Sequence, residues 1–149
     1  MTDRSFDAAN AAATSELRAL VASLSDADLA ADLGEGWTVS MALAHLAFWD
    51  EWHVARWLYA AEAGELAPPA ADSVITNRAN EALVTTWRAL PARAAVALLL
   101  DAADAADAYI ADLDEEAIDL AVERDGQSWF SRVPHRQDHI DQIKRALGR

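Results

Sequence analysis

Two of the four histidines in this chain, His135 and His139, stand four residues apart in the closing stretch VPHRQDHIDQIKRAL (133–147). In a helix, side chains four apart stack one above the other with Cβ atoms about 6 Å apart, so both rings can grip one metal ion. Advancing about 100° per residue from His135 gathers Ile140, Ile143 and Leu147 to one side, with the two histidines on the flank of that stripe. Gln137, Asp141 and Lys144 fall on the far side. The pair therefore faces inward or along an inner edge. Taken by itself it fits solvated or capping histidines near a helix C-terminus better than a metal site.

The stretch WTVSMALAHLAFWDEWHVARWLYAAEAG (37–64) supplies a third imidazole. With His45 at zero angle, Trp49, Trp52, Arg56 and Tyr59 share its strip, whereas Asp50, Glu51 and Glu62 fall opposite and are assigned to solvent. His45 thus belongs to the most buried face, among aromatics. A lone buried histidine is ordinarily a neutral core residue bonded to a carbonyl. Two more inward imidazoles on another helix change that reading. Three neutral imidazoles with no thiolate and one open position make a catalytic-type site for a borderline divalent cation: zinc first, with nickel, iron or copper also suited.

Neighbouring residues divide by position. Trp49, one turn from His45, is best placed to line a pocket; Trp52 and Tyr59 read as core or dimer packing. Arg56 sits on the same strip roughly 16 Å further along. It either pairs with one of the many acids or clamps the carboxylate of a substrate or cofactor. Asp138 and Gln142 adjoin the His pair, and either can accept from an imidazole N–H; Asp138 otherwise reads as a surface acid. His53 lies about 80° round from His45 and two turns on, too far to share its metal, and reads as structural or interfacial.

The elements that must position these groups are helical. The chain has 149 residues, 53% of them apolar, and holds 36 alanines against five glycines and four prolines, a composition that points to an all-α fold in one domain. Leu17, Leu20, Val21 and Leu24 give an amphipathic first helix over Ser5–Ser23. Ser25 caps a short turn, and Gly34 and Gly36 open a loop. Thr38 caps a long helix that runs to about Ala63 and stops before Gly64. GELAPPAADS (64–73) is a crossover loop, because adjacent prolines cannot sit inside a helix. A third helical region starts near Thr76 and meets Pro91, which kinks it or opens a new segment that runs to about Leu113. DEEAIDLAVERDGQS reads as a short turn of helix plus a loop. The last helix includes Pro134–Leu147 and reaches back at most to Ser128.

A net charge of −13 repels phosphate backbones and anionic lipids, so nucleic acid and membrane surfaces are poor partners. The six tryptophans have no basic groove beside them, and base stacking is not indicated. The acidic runs DAADAADAYIADLDEEAIDL and SDADLAADLGE read as solvated helix faces. With no bilayer-length apolar run and no signal-like N-terminus, the expected location is the cytoplasm.

GWTVSMALAHLAFWDEW (36–52) resembles the second-helix signature of the DinB/YfiT-like four-helix-bundle superfamily, in which a tryptophan precedes a capped helix bearing an internal His-Leu. HRQDHIDQI (135–143) resembles that superfamily's closing-helix motif. The resemblance covers essentially the whole chain. It implies an up-up-down-down bundle with a long crossover, whose metal is held by His45, His135 and His139. It also implies a homodimer, and relatives that include S-transferases and isomerases using mycothiol, bacillithiol or glutathione. Pro134 departs from the pattern, since relatives continue the helix there, and it puts the aim of His135 in question.

A metal of this kind lowers the pKa of bound water, or of a thiol that displaces it. The chain has no cysteine, so a sulfur nucleophile would arrive as a low-molecular-weight thiol, to be added to an electrophilic small-molecule substrate. The alanine-rich, arginine-over-lysine composition slightly favours mycothiol. Metal-dependent hydrolysis would use the same ligands. A non-catalytic bundle that binds a small ligand or a partner is the alternative outside enzymology.

Overall fold

The computed structural model describes residues 2–69, 72–125 and 130–149. Its elements are α1 (Ser5–Ala22), α2 (Asp26–Leu29), β1 (Asp32–Gly34), β2 (Trp37–Thr38), α3 (Val39–Glu62), α4 (Ser73–Ala89), α5 (Ala92–Ala111), α6 (Glu115–Asp125) and α7 (Val133–Ala146). The fold is an all-α bundle of α1, α3, α5 and α7, with α4 packed against α3. Among the described residues no helix is long and apolar enough to cross a membrane.

Local chemistry explains most boundaries. Ser25 and Asp28 form a reciprocal capping box on α2. The Thr38 hydroxyl accepts from the Met41 N–H at the start of α3. The expected loop at the glycines is instead a small antiparallel ribbon pairing Asp32 with Thr38 and Gly34 with Trp37. Its tip is tight because Gly34, Glu35 and Gly36 all take positive φ. Helix α4 starts three residues before the expected Thr76, since Asp72 Oδ1 accepts from the Val74 and Ile75 N–H groups at 2.8 and 3.2 Å. Pro91 does not kink a continuous helix. Leu90 is extended before it, and Pro91 becomes the N-cap of α5.

The segment read as a turn of helix is an 11-residue helix, α6. Its Ala117, Ile118 and Ala121 bury against Phe6, Trp57 and Phe130, and this tertiary packing extends it beyond what propensity alone would give. Ser128, the earliest start considered for the last helix, lies outside the described residues.

Cross-links fix the helix directions. Arg18 meets Asp104 and Thr14 meets Asp107, so α1 and α5 are antiparallel. Thr14 meets Arg136 and Glu16 meets Lys144, so α1 and α7 are parallel. Asp50 meets Arg132 while His45 meets His135, so α3 opposes α7. The order is therefore up, down, down, up. The long crossover is present, but it joins the parallel pair α3 and α5, unlike the expected up-up-down-down order. A chain with one crossover has a single parallel pair of consecutive bundle helices.

The core has two apolar ends and a polar layer between them. One end contains Leu17, Leu43, Leu46, Leu99, Ile140 and Ile143; the other contains Phe6, Trp57, Ile110, Ile118 and Phe130. Between them lie Asn10, Thr14, Asp50, Asp107, Arg132 and Arg136, joined by hydrogen bonds.

The layer corrects the reading of α3. Its buried stripe in the second half is Asp50, His53, Trp57 and Ala60. This stripe is centred about 100° from His45, so His45 marks its edge and not its middle. Asp50, assigned to solvent, is fully buried, and His53 is buried as well, whereas Trp52 and Tyr59 are 44% and 69% exposed. Trp57 is buried in the core.

Candidate metal centre

Because α3 and α7 run in opposite directions, His45 lies level with the turn of α7 that carries His135 and His139. Pro134 occupies the first turn of α7, where a backbone donor has no intrahelical acceptor to lose, so the helix simply begins there. His135 consequently keeps its inward aim. The three ring centroids form a nearly equilateral triangle with sides of 5.0, 5.0 and 5.1 Å. One nitrogen from each ring lies within 4.8 Å of the other two, and the Nε2 atoms of His45 and His135 are 2.9 Å apart.

Aromatic rings close the site. Trp37 and Trp87 set their edges against His45 with centroids at 5.5 and 5.1 Å, and Trp49 stands at 6.3 Å. Trp49 Nε1 donates to Asn80 Oδ1 at 2.9 Å, which ties α3 to α4 beside the cluster. Burial lowers the pKa of His45 to about 4 and that of His135 to about 2, with like charge from His139 and Arg132 and, at His135, from Arg132 first, adding to it. Burial also lowers His139, partly offset by its bond to Gln142 and by Asp138. All three rings are neutral at pH 7, the form that donates a lone pair to a metal.

These residues fit a divalent cation in their donor chemistry. Four-coordinate zinc at 2.0–2.1 Å from each nitrogen needs ligand atoms about 3.3 Å apart, so the two nearest rings would part by a few tenths of an ångström. His139 also has the outer partner that a metal ligand needs, with Nδ1 3.0 Å from Gln142 Oε1. His45 Nδ1 is buried without a hydrogen-bond partner. Such an atom costs about 1–3 kcal/mol, so packing alone gives no reason for a histidine at position 45. A groove of about 290 Å³ lined by Asp138, His139, Asp141, Gln142 and Arg145 reaches the cluster from outside.

Of the other expected site residues, Trp49 stands beside His45 and Gln142 beside His139. Asp138 is exposed and acts on His139 only through its charge. Trp52 stacks on Phe48 at 6.2 Å and faces solvent, so it does not line the site. Arg56 donates to the Pro69 carbonyl in the crossover.

Asp50, which the sequence reading assigns to solvent, and Arg132 and Arg136, which it does not single out, adjoin the cluster. Asp50 Oδ1 accepts from Arg132 Nε at 2.7 Å, and Asp50 Oδ2 accepts from Arg136 Nη2 at 2.8 Å. Arg136 Nη1 continues to Thr14 and Asp107, both at 2.8 Å. Arg132 Nη2 lies 3.3 Å from His135 Nδ1. The available signal was the pattern Arg132-x-x-His135-Arg136, which puts both arginines within one turn of a ligand candidate. Trp87, the one buried residue of α4, carried no distinguishing signal.

An all-α bundle with a three-histidine cluster between its second and last long helices belongs to the DinB/YfiT-like class. Within it, this chain belongs to the family of the mycothiol maleylpyruvate isomerase N-terminal domain, whose sequence profile matches residues 10–137. The matched span holds His45 and His135 and stops two residues before His139. No curated protein and no solved structure matches the chain.

Proposed function

We propose that the chain is a divalent-metal-dependent enzyme that adds or transfers a mycothiol-type low-molecular-weight thiol to a small electrophile. The observation that carries this reading is the meeting of three neutral imidazole nitrogens within 4.8 Å. Family membership supports the choice of thiol. His45, His135 and His139 would hold the ion, zinc being the best match to three imidazoles. When bound, it supplies Lewis acidity that lowers the pKa of a thiol or a water near it.

The chain's own residues do the rest. Gln142 keeps the His139 proton on Nδ1 and so leaves Nε2 free. Trp37, Trp49 and Trp87 exclude water from one side of the cluster and offer an apolar wall to the electrophile. Arg132 touches His135 and Arg145 lines the groove, both placed to attract the carboxylates of an anionic thiol or substrate. No cysteine competes with the incoming thiol.

The test is metal analysis of purified protein, followed by a conjugation assay with mycothiol and a panel of chloroaromatic and enone electrophiles. The expected result is about one divalent ion per chain and a thioether product, both lost in His139→Ala. A metal-loaded protein that releases product without sulfur would move the reading to hydrolysis. Metal-free protein would reject both. The dimer implied by the resemblance is also proposed. It would use the exposed Trp52 and Tyr59, with sedimentation velocity as its test.

A further inference from the structure

We propose that Arg132 gates the three-histidine cluster by fixing which nitrogen of His135 carries the ring proton. The inference rests on the reading of this cluster as a metal site. A guanidinium donates hydrogen bonds and accepts none. Its Nη2 lies 3.3 Å from His135 Nδ1, so Nδ1 must offer its lone pair and the proton of the neutral ring sits on Nε2. His135 Nε2–H then donates to His45 Nε2 across 2.9 Å. That bond puts the His45 proton on Nδ1, the buried atom that finds no acceptor. His139 donates from Nδ1 to Gln142, leaving its own Nε2 bare. Every contact in the chain from Arg132 to His45 then pairs one donor with one acceptor. The opposite tautomer of His135 would set two N–H groups against each other.

A cation held by the three Nε2 atoms requires the opposite state of His135. Its Nε2 must be bare and its proton must move to Nδ1, facing Arg132. Metal entry therefore requires Nη2 to withdraw. Arg132 cannot simply drift away, because its Nε is bound to Asp50 Oδ1 at 2.7 Å and Asp50 is fully buried, its other oxygen held by Arg136. The guanidinium is thus tethered beside the cluster, closing it through one nitrogen while anchored through another. It acts on the metal through His135, as a positioning residue.

Long-range proton–nitrogen NMR of the histidine rings in chelator-treated protein tests this directly. The expected spectrum has the His135 proton on Nε2, moving to Nδ1 when zinc is added. A proton on Nδ1 before zinc is added overturns the proposal. Competition titration with a chelating dye gives a second readout. Arg132→Gln offers an acceptor to Nδ1–H and should bind zinc about tenfold tighter than wild type. Arg132→Lys, still a cation without an acceptor, should stay within about threefold of wild type. Equal or weaker binding by a folded Arg132→Gln overturns the gate, and circular dichroism checks folding. If that variant does not fold, the wild-type tautomer decides. Failure of the metal reading looks different: wild type then takes up no zinc, and the tautomer of metal-free His135 still decides whether Arg132 sets it.

Discussion

Arg136 Nη2 and Asp50 Oδ2 meet at 2.8 Å inside the bundle, with no exposure on either side chain. Removing one member of such a pair leaves an uncompensated buried charge, which costs about 3–5 kcal/mol. Asp50→Ala should lose that much in a denaturant titration, because Arg132 and Arg136 both lose their shared carboxylate and Arg136 keeps only its Nη1 bonds to Asp107 and Thr14. The double variant Asp50→Leu with Arg136→Met should recover the part of the loss that comes from Arg136, since an apolar pair of similar volume avoids the desolvation penalty, while Arg132 still lacks its carboxylate. A loss below about 1 kcal/mol for Asp50→Ala would mean that water reaches the layer.

The bond from His139 Nδ1 to Gln142 makes a separate prediction. Gln142→Leu removes the acceptor but keeps the volume, so zinc affinity should fall about 10–100-fold while the melting temperature of the metal-free protein stays close to wild type. Titration with a competing chelator measures the first quantity and calorimetry the second. Unchanged affinity would show that the His139 tautomer does not depend on Gln142.

The three ligand candidates could be read from the sequence because histidine is scarce in this chain and spacing along a helix is local information. The same holds for the caps Ser25 and Thr38, whose partners lie three residues away. Asp50 could not be read this way. Its charge marks it for solvent unless partners are known, and those partners, Arg132 and Arg136, lie 82 and 86 residues further on. Taking the aromatic strip of Trp49, Trp52 and Tyr59 as the buried face had the same origin. Hydrophobicity says which residues prefer cover, but only the positions of α5 and α7 decide which receive it. The helix directions followed from cross-links such as Arg18–Asp104, which no local pattern encodes.

Helix α4 is held to the bundle at few points. Its only buried residue is Trp87, which packs on Trp37 and His45, and Asn80 adds the bond to Trp49. Trp87→Ala should cost about 3–5 kcal/mol for the lost ring and the cavity. It should also release α4 before the rest, so amide exchange in Ser73–Ala89 should accelerate more than in α5. Uniform acceleration across both helices would show that α4 unfolds only with the whole bundle.

His53 gives the fold an acid limit independent of any metal. Burial lowers its pKa from 6.5 to about 3, and the positive charges of Arg132, Arg56 and Arg136 add to the effect. The folded protein therefore keeps this ring neutral while the unfolded chain takes up a proton once the pH drops below 6.5. Stability from the neutral ring is complete above that value and is lost as the pH falls towards 3, at about 1.4 kcal/mol per pH unit for each such histidine. In chelator-treated protein His45, His135 and His139 act in the same direction, since all three are lowered. Between pH 6.5 and pH 5, His53→Leu should consequently lose about 2 kcal/mol less than wild type, whatever its stability at pH 7. Urea titrations at the two pH values measure the difference. Equal losses in the two proteins would place the proton on His53 in the folded state as well, and the ring would then need an acidic partner inside the bundle.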